Sequence, residues 1–235
     1  LFASRIKVYV PNNVNNILAD TYGKSWFDTC VSSSWNHREE KIIPKTYQTH
    51  CKNATQNIDR KILDNVWVIN LDRRPDRWIK TRDRLHAIGI KPKRWSANDG
   101  TKNVEYLRYK NNKKISPSEA ACFDSHVNLW KHLYDTNALP ALIFEDDIVI
   151  TPGTSIPDIL DAVRNSGGFD IFFLGYTYPD IDPFDDDLSR IGTTDGAHPY
   201  IINRETVAKL LPLVREKNTP IDAIMKKYCS NNLCF

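Results

Sequence analysis

The sequence predicts an α/β fold with a mostly parallel central sheet, and three observations carry the prediction. Short apolar runs rich in β-branched and aromatic residues recur at Val66 to Leu71, Ala141 to Phe144 and Asp170 to Leu174. Segments of helical periodicity lie between them, and turn or acidic residues close each run.

Taken in order, Leu1 to Asp64 is rich in Asn, Ser and Thr, offers one strand candidate at Arg5 to Val10, and reads as an appendage ahead of a domain over residues 65–235. Val66 to Leu71 reads as a buried strand that stops at Asp72-Arg73-Arg74-Pro75. Pro75 suits the first turn of the next helix, whose Trp78, Ile79, Leu85 and Ile88 share a face and whose end falls at Gly89. Lys93 to Ala97 is a second strand, closed by the turn Asn98-Asp99-Gly100. Ser116-Pro117-Ser118-Glu119 is a capping box with Pro at the first helical position, opening a helix that carries Ala120, Phe123, Val127, Trp130 and Leu133 toward a core. Ala141 to Phe144 runs straight into Glu145-Asp146-Asp147, after which Ile148 to Ile150 is apolar again. A helix from Asp158 to Asn165, the strand Asp170 to Leu174, a strand near His198 to Ile202 and a helix from Glu205 to Arg215 complete the pattern.

The chain has 235 residues with 32 Lys and Arg against 29 Asp and Glu, a net charge of +3 that argues against a bulk nucleic-acid binder. Its 41% hydrophobic content and 6 Trp suffice for one cored domain. No apolar stretch approaches the roughly 20 residues of a membrane-spanning helix. The N-terminus starts without Met and lacks the features of a signal peptide, so the sequence reads as a piece of something longer. The five cysteines form no CxxC pair, which favours reduced thiols and a cytoplasmic location, and Asn53-Ala54-Thr55 is one glycosylation sequon.

The small net charge hides a segregation along the chain. Residues 65–137 hold 15 Lys and Arg against 8 Asp and Glu, whereas residues 138–203 hold 2 against 12. An enzyme that binds a polyanion through a divalent metal needs both signs at one place. Adjacent carboxylates repel one another unless a cation neutralises them, and ligands of open α/β sheets bind beyond the carboxyl ends of strands. Glu145-Asp146-Asp147 therefore marks a metal-bridged diphosphate site, with the alternative of a helix cap or a solvated cluster. Arg73 and Arg77 can chelate phosphate oxygens near a helix N-terminus, or form surface ion pairs. Cys122 and His126 share a helical face with Glu119 nearby. His198 can reach a metal as a neutral imidazole or be a satisfied buried histidine. The sequence contains no GxGxxG, P-loop or GxSxG.

From Asn65 to about Tyr228 the chain resembles glycosyltransferase family 25, the group of lipopolysaccharide and procollagen galactosyltransferases. The resemblance rests on an ordered series: Val-Ile-Asn-Leu-Asp-Arg-Arg-Pro-Asp-Arg (Val68 to Arg77), Asn-Asp-Gly (Asn98 to Gly100), Glu-Ala-Ala-Cys-Phe-Asp-Ser-His (Glu119 to His126) with Trp130, Leu-Ile-Phe-Glu-Asp-Asp-Ile (Leu142 to Ile148), Gly-Ala-His-Pro-Tyr-Ile-Ile (Gly196 to Ile202) and Pro-Ile-Asp (Pro220 to Asp222). It implies a GT-A type, Rossmann-like fold, a nucleotide-sugar donor, usually UDP-linked, Mn²⁺ or Mg²⁺, and hexose transfer with inversion to a glycan, lipid-linked saccharide or protein hydroxyl. Carried over by position, Asp147 is the principal metal ligand, with Glu145 and Asp146 orienting ion and donor and His198 a further ligand. Asn70, Asp72 and Asp99 line the nucleotide pocket, Arg73 and Arg77 meet the phosphates, and Ser125 and His126 form the donor-side wall. Asp222, with Asp195 behind it, is the candidate base for the acceptor hydroxyl.

Two positions depart from the family pattern. Ser118-Glu119-Ala120-Ala121-Cys122 stands where the family has Gly-Glu-Ile-Gly-Cys, and Pro199 stands where it has Ala. Neither change removes a chemical group assigned a role above. Arg5 to Asn13, with Ile17-Leu18 and Tyr22 to Trp26, also resembles the closing segment of a LicD/fukutin-type domain. The alternatives are a non-catalytic sugar-nucleotide or glycan-binding domain, and a metal-dependent phosphohydrolase or nucleotidyltransferase.

Overall fold

The structure, a computed structural model, describes residues 58–109, 114–166, 168–175, 196, 199–214 and 219–235, together with the backbone of 29–31, 35–36, 41–42, 48–57, 180–183 and 189–193. Contacts divide the chain into two units, 1–57 and 58–235. In the first, β1 (Thr29–Val31) pairs antiparallel with β4 (Gln48–His50), and β2 (Trp35–Asn36) with β3 (Lys41–Ile42). The strand predicted over Arg5 to Val10, and the segment from Arg5 to Trp26 resembling a LicD/fukutin tail, both lie outside the described residues.

The second unit opens with the end of helix α1 (Cys51–Asp64) and continues β5 (Val66–Leu71), α2 (Pro75–Ala87), β6 (Lys93–Ala97), α3 (Val104–Leu107), α4 (Pro117–Asp135), β7 (Ala141–Glu145), α5 (Ile156–Asn165) and β8 (Ile171–Phe173). A two-stranded antiparallel ladder of β9 (Asp180–Pro183) and β10 (Ser189–Thr193) follows, then β11 (Tyr200–Ile202), α6 (Arg204–Leu210) and α7 (Ile221–Cys229). Five strands form one sheet in the order β6-β5-β7-β11-β8. β5 is parallel to both β6 and β7, while β11 is antiparallel to β7 and β8 on either side, so four strands run one way and one returns between them. The α/β class and mostly parallel sheet are those the sequence predicts.

Alternation along the strands gives the sheet two apolar faces, as a sheet covered on both sides requires. Ile69, Ile143, Tyr200 and Ile202 pack with Phe123, Val127, Trp130 and Leu133 of α4, Val207 of α6 and Met225 of α7. Val66, Val68, Leu142, Phe144 and Ile201 pack on the other face with Ile62 of α1, Leu85 of α2 and Leu160 and Val163 of α5.

Local signals act where the sequence places them. At the start of α4 the Ser116 hydroxyl accepts from Glu119 N–H and the Glu119 carboxylate accepts from Ser116 N–H, the reciprocal bonds of a capping box. Gly89, at φ +86°, ends α2 in the left-handed region that suits glycine. Other boundaries move. The helix expected from Asp158 starts at Ile156, because Ser155 caps it. The strand expected near His198 begins at Tyr200, and the helix expected to reach Arg215 ends at Leu210. Ile148 to Ile150 forms no strand; Ile148 is buried and Val149 is 80% exposed.

The sequence reading of reduced cysteines is corrected at the chain's C-terminal side, where Cys229 and Cys234 form a disulfide. Cys122 is a free thiol. The loop closed by the disulfide lets residues 233–235 lie along the outer edge of β8, with Asp170 N–H donating to Leu233 C=O at 2.7 Å and Phe235 N–H to Ile171 C=O at 3.1 Å. Asp170 gathers this corner. Its carboxylate accepts from Tyr228 Oη at 2.9 Å, Thr206 Oγ1 at 3.1 Å, Lys209 Nζ at 3.2 Å and Leu233 N–H at 3.1 Å. Burial pushes the Asp170 carboxyl up, but the bonds from Tyr228, Lys209, Leu233 and Thr206 outweigh it and hold it below the usual carboxylate value.

A carboxyl held low in the folded state stabilises at neutral pH, and that contribution is lost as pH falls through the folded value. Asp170→Ala is expected to cost about 2–3 kcal/mol at neutral pH, from lost charge-assisted bonds. The deficit should start to shrink below about pH 4, where the unfolded carboxyl takes up its proton, and go on shrinking until pH falls through the lower folded value. Urea unfolding of both proteins across this pH range measures it, and a deficit independent of pH would contradict the assignment.

Candidate functional site

The chain steps from β5 to β6 on one side, then crosses back to β7 on the other. This reversal opens a crevice beyond the carboxyl ends of β5, β6 and β7, the position where open α/β sheets bind ligands. A cavity of about 180 Å³ lies there, lined by Leu71, Arg73 and Arg77 after β5, Asn98 to Thr101 after β6, Cys122 and Ser125 of α4, and Glu145, Asp146 and Asp147. A larger groove of about 870 Å³ runs between α5 and the end of β8; its lining, which includes Asp158, Asp161, Phe172 and Phe235, carries none of these groups.

Strand alternation sends the three carboxylates different ways. Glu145 continues the α4 face after Ile143, and its Oε1 lies 3.1 Å from His126 Nε2. Asp146 continues the α2 face after Phe144. Its Oδ2 accepts from Asn70 Nδ2 at 2.7 Å, its Oδ1 from Arg77 Nη1 at 3.1 Å, and its backbone C=O from Thr81 Oγ1 at 2.8 Å. Asp147 is 62% exposed and has Arg77 Nη1 at 3.7 Å. Burial in the cluster, then the charges of Glu145 and Asp146, push the Asp147 carboxyl above its usual value.

Of the predicted nucleotide and phosphate residues, Arg73, Arg77 and Asp99 line this cavity, whereas Asn70 and Asp72 are not among its lining residues. Asn70 is buried; its Oδ1 accepts from Arg94 Nε at 2.7 Å and its Nδ2 also donates to Arg74 C=O at 2.9 Å. Asp72 accepts from Ser96 Oγ at 2.8 Å and from Arg94 Nη2 at 2.6 Å, and these bonds hold its carboxyl below the usual value. Asp99 accepts from the Thr101 hydroxyl and N–H and from Arg73 Nε at 2.8 Å. The Thr101 hydroxyl contributes most, against burial, and the carboxyl is held down to about 2. Ser125 Oγ accepts from Asn98 N–H at 2.9 Å and donates to Ala121 C=O, fixing the turn after β6 against α4. Gly100 makes that approach possible, since a Cβ there would lie 2.3 Å from Pro117 O.

Asp222, at the start of α7, accepts from Gly196 N–H at 3.1 Å and from Ala223 N–H at 2.9 Å. It lines a second cavity of about 180 Å³ with Glu119, Cys122, Glu145, Pro220 and Ile221. The two cavities share Cys122 and Glu145, so the wall that Glu145 builds separates the Arg73/Arg77 side from the Asp222 side. Asp195 and His198 lie outside the described residues.

Behind Glu145 runs a chain of buried polar groups that sequence reasoning missed apart from His126. His126 Nδ1 is 2.8 Å from Tyr200 Oη, and Trp130 Nε1 donates to the same hydroxyl at 2.8 Å. Tyr200 occupies the first position of an antiparallel strand, which brings it to the carboxyl end of β7. Thr81 and Arg94 were also missed. For Arg94 the signal is the parallel register of β5 with β6, which becomes available only once strand partners are known.

A hard divalent cation suits oxygen ligands, and Glu145 with the exposed, mutually repelling Asp147 fits one. Cys122 Sγ, His126 and Glu145 also bring ligand atoms within 4.8 Å of one another. That trio fits a hydrogen-bonded cluster better. Burial, then Glu145, pushes the Cys122 thiol up, and His126 has both ring nitrogens engaged.

Residues 63–177 match the sequence pattern of glycosyltransferase family 25 (LPS biosynthesis protein). A Glycosyltransferase 25 family member of Drosophila melanogaster is 28% identical over 187 residues, 69% of this chain and 30% of its own length. Procollagen galactosyltransferase 1 of Danio rerio is 30% identical over 124 residues, 47% of this chain and 20% of its own. Procollagen galactosyltransferase 2 of Homo sapiens is 30% identical over 103 residues, 38% and 16%. The chain thus spans under a third of the length of these relatives.

The two neighbouring aspartates should respond unequally to removal. Asp146→Ala strips partners from buried Asn70 and from Arg77 and is expected to destabilise by about 1–3 kcal/mol. Asp147→Ala, exposed and relieved of repulsion, should stay within about 0.5 kcal/mol of wild type. Guanidinium unfolding of both variants decides it; equal losses would refute the division of roles.

Proposed function

We propose, from the match of residues 63–177 to glycosyltransferase family 25 and the similarity to its members, that this chain transfers a hexose from a nucleotide sugar, UDP-linked, to a hydroxyl of a glycan, lipid-linked saccharide or protein. The observation that carries the reading furthest is the pair of cavities meeting at Glu145. One has the acidic triplet and two arginines that a metal-bound diphosphate requires; the other has a carboxylate, Asp222, beside the same wall. The reading implies a GT-A type arrangement.

In this reading Asp147 and Glu145 hold Mn²⁺ or Mg²⁺, with His198 as a further ligand. The ion, when bound, supplies positive charge that stabilises the leaving diphosphate. Arg77, already shared between Asp146 and Asp147, and Arg73, held by Asp99, border the phosphate side. Asn70, Asp72 and Asp99 shape the nucleotide side, and Asp146 keeps the β7 turn in place through Asn70, Arg77 and Thr81. Ser125 and His126 back the wall toward the donor.

Inversion requires the acceptor oxygen to attack the anomeric carbon from the face opposite the leaving group, with its proton taken by a base. Asp222 is that base, and Asp195, next in sequence to the Gly196 that bonds Asp222, assists. Donor and acceptor thus approach from the two sides of the Glu145 wall.

Thermal shifts with a panel of nucleotide sugars, each with and without Mn²⁺, should reveal one donor that stabilises only with the ion. Asp147→Ala should abolish that shift. Asp222→Asn should keep it while lowering transfer about 100-fold or more. A folded wild type with no metal-dependent shift for any donor would overturn the reading in favour of a phosphohydrolase or a non-catalytic domain.

A further inference from the structure

Resting on that reading, we propose that His126 is a positioning residue for Glu145, held in one tautomer by Tyr200 and Trp130, so that the wall between the two cavities is set from inside the core. Tyr200 Oη is buried and has one hydrogen; it accepts from Trp130 Nε1 and lies 2.8 Å from His126 Nδ1. If Nδ1 carried the ring proton, that hydroxyl would accept twice and its own hydrogen would have no acceptor among the described residues, which is costly in the core. If Nδ1 is the acceptor, every group is satisfied: Trp130 donates to Tyr200, Tyr200 donates to Nδ1, and Nε2–H donates to Glu145 Oε1 at 3.1 Å.

His126 has no exposed surface, and its ring stacks on Tyr200 with centroids 5.9 Å apart and planes 25° apart. Such a ring cannot follow a moving carboxylate. The carboxylate is instead held where the ring points, facing Cys122 Sγ at 3.7 Å and lining both cavities. Fixing a carboxylate through a buried donor is the way outer groups orient a cation's ligands, and removal of such a partner costs about 10–100-fold in metal affinity. It also gives the core cluster of Trp130 and Tyr200 a direct effect on the site, although neither lines either cavity.

Two measurements test this. The ring ¹⁵N shifts of His126 in the folded wild-type chain, free of metal, report the tautomer independently of any enzymatic activity. A protonated Nε2 is expected, and a protonated Nδ1 would overturn the proposal whatever the chain catalyses. Mn²⁺ alone is then titrated by electron paramagnetic resonance. Tyr200→Phe, which preserves the ring and the core, should weaken binding by about 3–10-fold, and His126→Leu by about 10-fold or more. His126→Gln, which retains a donor near the Nε2 position, should recover most of that loss.

The coupling is decisive. If His126 acts through Glu145, His126→Leu adds nothing to Glu145→Gln; multiplicative losses with a retained fold would mean a merely structural histidine and overturn the proposal. Wild type with the expected tautomer but no Mn²⁺ binding would instead overturn the transferase site and, with it, the role given to Glu145.

Discussion

Three carboxylates in succession at the end of a buried strand repel one another, and the surroundings of β7 answer that repulsion. The pleat separates them first. Glu145 turns to α4 and meets His126, Asp146 turns to α2 and meets Asn70, Arg77 and Thr81, and Asp147 remains toward solvent. The partners come from three different elements, so β5, α2 and α4 must all be in place before the triplet is tolerable. The central sheet and the candidate site therefore depend on the same contacts.

β11 supplies the second constraint. An antiparallel strand set between β7 and β8 begins where its neighbours end, which places Tyr200 at the level of Ile143 and Phe173, beneath the site. A parallel strand would have brought its final residue there instead. On the same sheet, the edge strand β8 is completed by residues 233–235, and Asp170 joins that segment to α6 and α7. The helix that carries Asp222 is thus anchored at its far end by a separate polar cluster.

Charge segregation along the sequence becomes proximity in the fold, with a qualification that matters for binding. The cations expected at the phosphates are already paired, Arg73 with Asp99 and Arg77 with Asp146 and Asp147, and the neighbouring Arg94 is paired with Asp72. An anionic ligand would exchange partners with these acids rather than meet bare arginines. Partly exposed pairs of this kind are weak enough for such an exchange.

The sequence by itself determined the local features. Ser116 and Glu119 cap α4, Gly89 ends α2, the strands Val66–Leu71 and Lys93–Ala97 have the expected bounds, and the acidic triplet closes β7. These are encoded within a few residues, where periodicity, capping chemistry and φ preferences act without knowledge of the rest of the chain. Only the tertiary structure decided that β11 runs antiparallel, that His126 lies between a residue 74 positions away and one 19 away, that Arg94 serves Asn70 and Asp72, and that Cys229 pairs with Cys234. Such partners are selected by strand order and by the need to satisfy every polar group enclosed with the core, and that selection has no signature in the neighbouring sequence.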